Sequence, residues 1–306
     1  MTTKRKTTAL KQLEILNKRG FLSQENLLEL VRLRTGHEGE TYFISYLKKH
    51  LTSEPIIIND FRFSVKKSEC QIDCLLIYQY KCIILEIKNY QSDFYVDDNQ
   101  WFIANNKKQI RSPIEQMNNG KRMLAELFNE EGIRMKIDGY VIFTNSQFLL
   151  YNAPFMSEIV FPNRLKNFVN DLNREQDYLS DWHNRIFEKI KSRHIDVSTH
   201  EISIDFDVDS LTNGVTCFIE NCKGFMQVKG RKYVVCKSCG SIETMDQAII
   251  RSVKDRRILF PEDKITVSSI CEWMGNTISV EKIRKTLSAN CVCHGRGKNT
   301  YYELVE

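Results

Sequence analysis

The strongest constraint on the fold is an apolar run that ends in an acid–apolar–lysine triplet. Residues 82–85 read Cys-Ile-Ile-Leu, and residues 86–88 read Glu-Ile-Lys. A run this apolar is typical of a strand that is buried on both faces. Side chains alternate along a strand, so Glu86 and Lys88 point to the same side at the strand end. The sequence predicts a buried central strand with charged groups where the core meets solvent.

A second apolar strand, Ile72–Tyr78, precedes this run and is close enough to form a hairpin with it. With Gln79-Tyr80 as the loop, Asp73 would face Glu86, and Gln71 would face Lys88. Two facing carboxylates repel each other, which favours a cation between them. Magnesium prefers carboxylate oxygens, and a bound metal ion can acidify water and stabilise an attacked phosphate. Lys88 could orient that water or neutralise phosphate charge. The alternative is an ordinary strand end with an ion pair.

Apolar spacing predicts the remaining elements of the first two thirds of the chain. The predicted helices lie within 1–35, with a break at Gly36, and then at Thr41–Leu51, Ile114–Phe128 and Leu165–Lys191. The further predicted strands are Ile56–Ile58, Phe61–Val65, Phe94–Val96, Gln100–Ile103 and Tyr140–Thr144. This order of elements indicates an α/β or α+β core.

Two cysteine pairs lie beyond this core. Cys217 and Cys222 are followed by Cys236 and Cys239, and the stretch between the pairs reads as two short strands. The spacing is typical of a zinc ribbon, in which four thiolates fill a tetrahedral structural site. The lysines and arginines of the ribbon could contact phosphates or only solvate a small domain. A second site at Cys271, Cys291, Cys293 and His294 is a weaker alternative.

The C-terminal tail reads as three helices, a Gly/basic turn and a strand, which resembles a winged helix-turn-helix. In that arrangement the third helix would place Lys282, Arg284 and Lys285 in a DNA major groove, and Arg296 and Lys298 of the wing would contact the backbone. Three-helix units of this kind also serve as protein–protein modules. The whole net charge of +5 lies in residues 213–306, and such a surplus is compatible with phosphate contacts.

An ordered set of motifs points to a known family. In chain order, the motifs are Gly36-His37-Glu38-Gly39-Glu40, Gln71-Ile72-Asp73, Glu86-Ile87-Lys88-Asn89-Tyr90, Trp101, and Ser112-Pro113 followed by Gln116. Over roughly residues 33–150 the chain resembles the nuclease-related domain (NERD) family, which is similar to PD-(D/E)xK nucleases with a restriction-endonuclease-like fold. Ser112 departs from the asparagine expected before the proline.

The resemblance implies roles for particular residues. Glu40 would be the helix-borne acid that joins Asp73 and Glu86 as ligands of Mg²⁺ or Mn²⁺, Lys88 the catalytic lysine, and Gln116 an accessory residue. Without the resemblance, Glu40 reads as a glutamate in a helix's first turn, favoured by the helix dipole. Related folds often cut as dimers, which makes a homo-oligomer conceivable, although the sequence carries no interface signature.

The expected architecture is therefore an α/β nuclease domain with a mixed sheet flanked by helices, a zinc ribbon and a winged-helix-like α+β module. The predicted boundaries are 1–35 for an N-terminal helical segment, 36–194 for the nuclease domain, 195–212 for an acidic linker, 213–244 for the ribbon and 245–306 for the winged helix. The sequence has no apolar run long enough to span a membrane and no secretory signal, so the expected location is the cytoplasm.

The expected function is metal-dependent hydrolysis of phosphodiester bonds, with DNA as the expected substrate, and defence against foreign DNA follows only by analogy. One rival is a non-catalytic nucleic-acid-binding or regulatory protein that retains the nuclease fold. Another is a protein-interaction scaffold in which the C-terminal helices dock a partner. The sequence does not show whether the substrate is DNA or RNA, or whether cleavage is endonucleolytic or exonucleolytic.

Overall fold

The chain forms two compact units. The computed structural model describes residues 6–20, 22–196 and 204–304, apart from the side chain of Lys298. One unit is Leu33–Glu201, and the other combines Lys6–Arg32 with Ile202–Glu306. The first helix therefore shares its unit with the C-terminal third of the chain. Among the described residues, no helix is long and apolar enough to cross a membrane.

The helices and strands are numbered in chain order. The helices are Thr8–Arg19 (α1), Gln24–His50 (α2), Pro113–Glu130 (α3), Leu165–Leu172 (α4), Asp181–Ser192 (α5), Met245–Leu259 (α6), Val267–Trp273 (α7) and Val280–Asn290 (α8). The strands of the first unit are Ile56–Val65 (β1), Ser68–Ile77 (β2), Lys81–Lys88 (β3), Asp93–Asp97 (β4), Gln100–Ile103 (β5), Gln109–Ile110 (β6), Lys136–Phe143 (β7), Leu149–Tyr151 (β8) and Ile159–Val160 (β9). Those of the second are Val215–Thr216 (β10), Phe225–Lys229 (β11), Tyr233–Cys236 (β12), Ile242–Thr244 (β13), Cys291–His294 (β14) and Tyr301–Leu304 (β15).

A mixed five-stranded sheet forms the centre of the first unit, in the order β1-β2-β3-β7-β9. The β1–β2 and β2–β3 pairs are antiparallel, and β3–β7 and β7–β9 are parallel. A smaller sheet, β6-β5-β4-β8, belongs to the same unit. Helices α3 and α5 share a core with one face of the central sheet, and α2 and α4 share a core with the other. The predicted α/β class, a mixed sheet flanked by helices, is confirmed.

The second unit is built around α6 and a four-stranded sheet, β10-β11-β12-β13. Helix α1 belongs here because its last residues bond to the C-terminal segments. The Arg19 guanidinium lies 3.5 Å from the centre of the Trp273 ring and donates to the carbonyl oxygens of Thr212 and Trp273. Lys18 donates to the carbonyl oxygens of Cys217 and Ile219.

Two helix predictions are wrong. Gly36 does not break the N-terminal helical pattern, because α2 runs through it without interruption. A glycine inside a helix costs only about 1 kcal/mol relative to alanine, and the buried side chains of Phe43 and Leu47 hold α2 on the sheet. The single helix predicted over Leu165–Lys191 is instead two, α4 and α5, and the second begins after Ser180 as its N-cap.

The strands were predicted more closely. The two strands expected at Ile56–Ile58 and Phe61–Val65 are one strand, β1, with a local distortion at Asp60, whose φ is +56°. Strand β5 has the predicted bounds, and β2, β3, β4 and β7 overlap the predicted strands. The short strands β6, β8 and β9 were not predicted, because two or three residues are too few for a periodic signal.

Candidate active site and metal centre

Strand β3 carries Glu86 and Lys88 at its carboxyl end, on the α3 side of the sheet. Cys82 and Ile84 share a core with α3, whereas Ile83 and Leu85 share a core with α2. Glu86 continues the first of these two series, and Lys88 follows it two residues later. Parallel pairing with β7 along the whole strand keeps β3 in the middle of the sheet. The predicted arrangement of the Glu-Ile-Lys triplet at the end of a buried strand is confirmed.

The predicted hairpin register is confirmed for the inner part of the β2–β3 ladder. Cys74 pairs with Leu85, and Ile77 pairs with Cys82. The Tyr78 N–H donates to the Lys81 carbonyl at 2.8 Å, which leaves the two-residue loop that was predicted. The ladder ends at the Cys74–Leu85 pair. The pairing of Asp73 with Glu86 and of Gln71 with Lys88, which the same register would give, is therefore not part of the ladder.

Strand β2 is distorted at Asp73. Ile72 and Leu75 belong to the same core cluster although they are three residues apart, so the alternation of faces shifts between them. The neighbouring strand shows a matching distortion at Asp60. The Asp73 Oδ2 atom accepts a hydrogen bond from the Ile87 N–H at 2.8 Å. A carboxylate thus extends the ladder where the backbone pairing ends, and it lies next to the Glu-Ile-Lys triplet.

Glu86 and Lys88 form a largely buried ion pair. The Lys88 Nζ lies 2.7 Å from Glu86 Oε1, and the two side chains are 18% and 13% exposed. Burial raises the pKa of Glu86, and the charge of Asp73 raises it further, against the opposing effects of Lys88 and Arg111. Burial lowers the pKa of Lys88, but Glu86, Tyr90 and Asp73 together leave it above its usual value. A pKa above the usual value means that Lys88 carries a positive charge at neutral pH.

Helix α2 reaches the end of β3 through Gly39. A Cβ at Gly39 would lie 2.3 Å from Asn89 Cβ and 3.0 Å from Thr144 Oγ1, whereas one at Gly36 would meet nothing within 4 Å. The Asn89 side chain also donates to the Thr35 carbonyl at 2.8 Å. Of these two glycines, Gly39 is the one that allows α2 to approach the end of β3 closely.

Glu40 follows Gly39 in the chain and is half-buried. It lies in the interior of α2, so the alternative reading of Glu40 as a first-turn residue is wrong. The reason is the same as for Gly36: the glycines that were taken as a helix start are accommodated within a longer helix.

Helix α3 begins beside these groups. Ser112 caps it by accepting from the Glu115 N–H at 3.4 Å, and Pro113 is its first residue. The serine that departs from the family pattern thus retains a capping role. The Gln116 Oε1 atom is buried and has no hydrogen-bond partner in the described part of the chain.

Arg111, directly before the cap, is a residue that the sequence reasoning missed. Its side chain is exposed, it forms no ion pair in the described part of the chain, and its charge acts on Glu86. The Ser112-Pro113 motif was the available signal for Arg111. The motif marks the start of α3, and the residue directly before this start is close enough for its charge to act on Glu86.

Residues 35–144 match the family model of the nuclease-related domain. Residues 35–144 are therefore similar to this family, and the name nuclease-related domain refers below to this matched region. The match covers less than half of the chain, and it includes Glu40, Asp73, Glu86, Lys88 and Gln116. Neither the curated proteins nor the solved structures contain a match to the chain.

The acids of the nuclease-related domain provide oxygen ligands of the type that magnesium and manganese prefer. Asp73 and Glu86 suit a cation chemically, since burial, and after it the charge of Asp73, raises the pKa of Glu86, and a cation would oppose both effects. Glu40, Asp73 and Glu86 do not bring their oxygens within 4.8 Å of one another; in the described residues, only the cysteine quartet meets that distance.

The cysteine quartet lies outside the nuclease-related domain. The Sγ atoms of Cys217, Cys222, Cys236 and Cys239 all lie within 4.8 Å of one another, and the 217–239 and 222–236 pairs are each 3.6 Å apart. Four sulfurs at about 2.3 Å from a tetrahedral zinc would be roughly 3.8 Å apart, so the spacing fits that ion. Four close cysteines that could bind zinc are thus in place, as predicted.

Backbone groups support two of these sulfurs. The Ile219 N–H donates to Cys217 Sγ, and the Gly224 N–H donates to Cys222 Sγ, each at 3.4 Å. A Cβ at Gly224 would lie 2.7 Å from Cys236 Sγ, so the chain needs glycine there to approach the sulfurs. Such N–H groups stabilise thiolate charge.

The other cysteines do not form a second cluster. In the described residues, no further group of three or more potential ligands meets the same distance. Cys271 donates to the Asn276 side chain, Cys291 is buried, Cys293 is exposed, and the His294 ring bonds to Glu303. The weaker alternative of a second metal site is therefore not supported.

The C-terminal segment has three helices, α6 to α8, followed by the β14–β15 hairpin. Residue Ile265, between α6 and α7, forms a bridge with Tyr302 of β15. Arg284, Lys285 and Arg296 are exposed. Lys282 pairs with Asp246 of α6 at 2.6 Å, so a phosphate contact by Lys282 would compete with this ion pair. The Lys298 side chain lies outside the described residues.

Proposed function

We propose that this protein is a metal-dependent nuclease of the PD-(D/E)xK type that hydrolyses phosphodiester bonds of DNA. The observation that carries the proposal is the buried Glu86–Lys88 pair at the end of β3, beside Asp73 and within the nuclease-related domain. An ordinary surface ion pair would be exposed and would not lie beside a second acid. A largely buried ion pair beside a second acid contributes little to stability by itself, so its presence favours a functional role.

Asp73 and Glu86 would hold a Mg²⁺ or Mn²⁺ ion, with Glu40 as a third ligand. Such an ion supplies positive charge to the phosphate and lowers the pKa of a bound water. The protonated Lys88 ammonium would neutralise charge that develops on the phosphate and would orient the attacking water by donating a hydrogen bond to it. The Gln116 amide, whose oxygen is buried, would help to position that water.

The second unit would bring the nuclease-related domain to its substrate. The cysteine quartet would hold a structural zinc, because four protein ligands leave no open position. Helices α6 to α8, the Ile265–Tyr302 bridge and the β14–β15 hairpin follow the order of elements in a winged helix, which supports DNA binding by Arg284, Lys285 and Arg296. The enzyme would act in DNA processing or in defence against foreign DNA.

The proposal is tested by cleavage of supercoiled and linear DNA, and of RNA of the same sequence, with and without Mn²⁺. Glu86→Gln keeps the size of the side chain and removes its charge. Glu175→Gln is the matched control, since Glu175 pairs with Lys81 at the opposite end of β3. We expect metal-dependent cleavage of DNA by the wild type and the control only. DNA retention without cleavage by the wild type would contradict the proposal and favour a non-catalytic binding protein.

A further inference from the structure

The β10–β13 sheet of the second unit has one buried face and one open face. Met226, Val234 and Cys236 point into the core and are at most 2% exposed. The side chains that alternate with them form the open face, as the strand register shows: Gln227 pairs with Val235, Val235 with Ile242, Lys229 with Tyr233, and Tyr233 with Thr244.

The open face presents an aromatic ring and an aliphatic side chain to solvent. Tyr233 is 48% exposed and Ile242 is 50% exposed, although each lies within a regular strand. Lys229 is directly opposite Tyr233 on the neighbouring strand, and it is exposed as well. A half-exposed ring beside a cation suits a ligand that has both a flat apolar surface and negative charge.

The charge of residues 213–244 favours an anionic ligand. Both acids of this segment are engaged, Glu220 with Lys6 and Glu243 with Arg251. Its basic residues are all exposed and form no ion pair within the described part of the chain: Lys223, Lys229, Arg231, Lys232 and Lys237. This segment therefore carries exposed positive charge that no ion pair among the described residues neutralises.

We propose that the open face binds unpaired nucleotides, with the Tyr233 ring stacked on a base and with Lys229 and Arg231 in contact with the flanking phosphates. Aromatic side chains with neighbouring cations are the elements by which proteins hold single strands, because every base has a flat face and every linkage has a charge. A duplex keeps its bases stacked on one another and offers no such face. The inference rests on the proposed function only in taking nucleic acid as the partner.

The test measures binding of the full-length, zinc-loaded protein to fluorescein-labelled oligo(dT), oligo(rU) and a duplex of the same length. Mn²⁺, Mg²⁺ and chelators are left out, so that neither cleavage nor loss of zinc occurs. Tyr233→Leu removes the ring, and Tyr233→Phe keeps it. Tyr178→Leu is the control, because Tyr178 is an exposed tyrosine of the first unit.

We expect Tyr233→Leu to weaken single-strand binding by about 5- to 150-fold, the loss of one base–aromatic stack. Tyr233→Phe and Tyr178→Leu should bind like the wild type, and duplex binding should change little in any variant. Lys229→Gln should reduce the slope of log affinity against log salt concentration by about one, as expected for the loss of one phosphate contact. Circular dichroism and zinc content should be the same for all variants.

Three results would overturn this inference: no single-strand binding by the wild type, equal binding by Tyr233→Leu, or an equal loss on the duplex. Cleavage with metal is measured separately on the same preparations. An inactive protein whose single-strand binding depends on Tyr233 would refute the proposed nuclease activity and leave this inference standing. An active nuclease whose binding is independent of Tyr233 would do the reverse.

Discussion

Gly36 and Gly39, two glycines of the same helix, should respond in opposite ways to alanine. Both lie in the interior of α2, and in both cases alanine is the better helix former by about 0.5–1 kcal/mol. A new methyl group at Gly36 would meet open space. At Gly39 it would lie 2.3 Å from Asn89 Cβ, so α2 and the end of β3 would have to separate by about 1 Å to reach an ordinary contact.

This difference sets the expected magnitudes. Gly36→Ala should stabilise the first unit by roughly 0.5–1 kcal/mol. Gly39→Ala has the same gain, but overpacking costs about 1–3 kcal/mol, so the variants should differ in free energy of unfolding by that amount. For a unit of this size, 1 kcal/mol corresponds to about 2–4 °C in Tm. Displacement by about 1 Å near reacting groups can also cost about 100-fold in rate.

Thermal unfolding followed by circular dichroism, together with DNA cleavage, checks this prediction. Gly36→Ala should melt above the wild type and cut DNA normally. Gly39→Ala should melt below Gly36→Ala and lose activity, because Glu40 and Lys88 lie on the two elements that must separate. Equal melting temperatures and equal activities of the two variants would refute the packing argument.

Three further predictions concern the acids and the cysteines. Asp73→Asn should retain the fold but lose metal-dependent cleavage, whereas Asp73→Ala should also lower the free energy of unfolding by about 1–3 kcal/mol, as urea denaturation would show, because a buried N–H loses its acceptor. Cys236→Ser should abolish the zinc found by elemental analysis, and Cys293→Ser should leave it unchanged. The raised pKa of Glu86 means that its carboxyl binds a proton, and so loses metal affinity, at a higher pH than an ordinary glutamate. Arg111→Gln removes a charge that lowers this pKa and should move the acidic limb of the pH–rate profile to higher pH; an unchanged profile would contradict this.

The sequence was sufficient for the central hairpin because local signals agree there. A fully apolar run, a two-residue loop and the alternation of side chains together define β2, β3 and the position of Glu86 and Lys88. The cysteine quartet was equally accessible, since its spacing alone predicts a common site.

Other features depend on contacts between distant segments. The continuity of α2 through Gly36 follows from packing of its second half on the sheet, which local helix propensity does not contain. The distortion at Asp73 requires its partner strand, because the shift in alternation is matched by Asp60 of β1. The ion pair of Lys282 with Asp246 joins two helices, and no local pattern distinguishes a lysine in such a pair from a solvent-facing one.

The central claim is that Lys88 is the cation of a phosphodiesterase site, and paired lysine variants test it most directly. Lys88 and Lys81 lie at opposite ends of β3, and each pairs with an acid. Purified wild type, Lys88→Ala and Lys81→Ala are compared for kcat/KM on plasmid DNA with Mn²⁺. We expect Lys88→Ala to lower kcat/KM by about 100-fold or more and Lys81→Ala to have little effect, with both variants folded. Equal cleavage by Lys88→Ala and wild type would contradict the account.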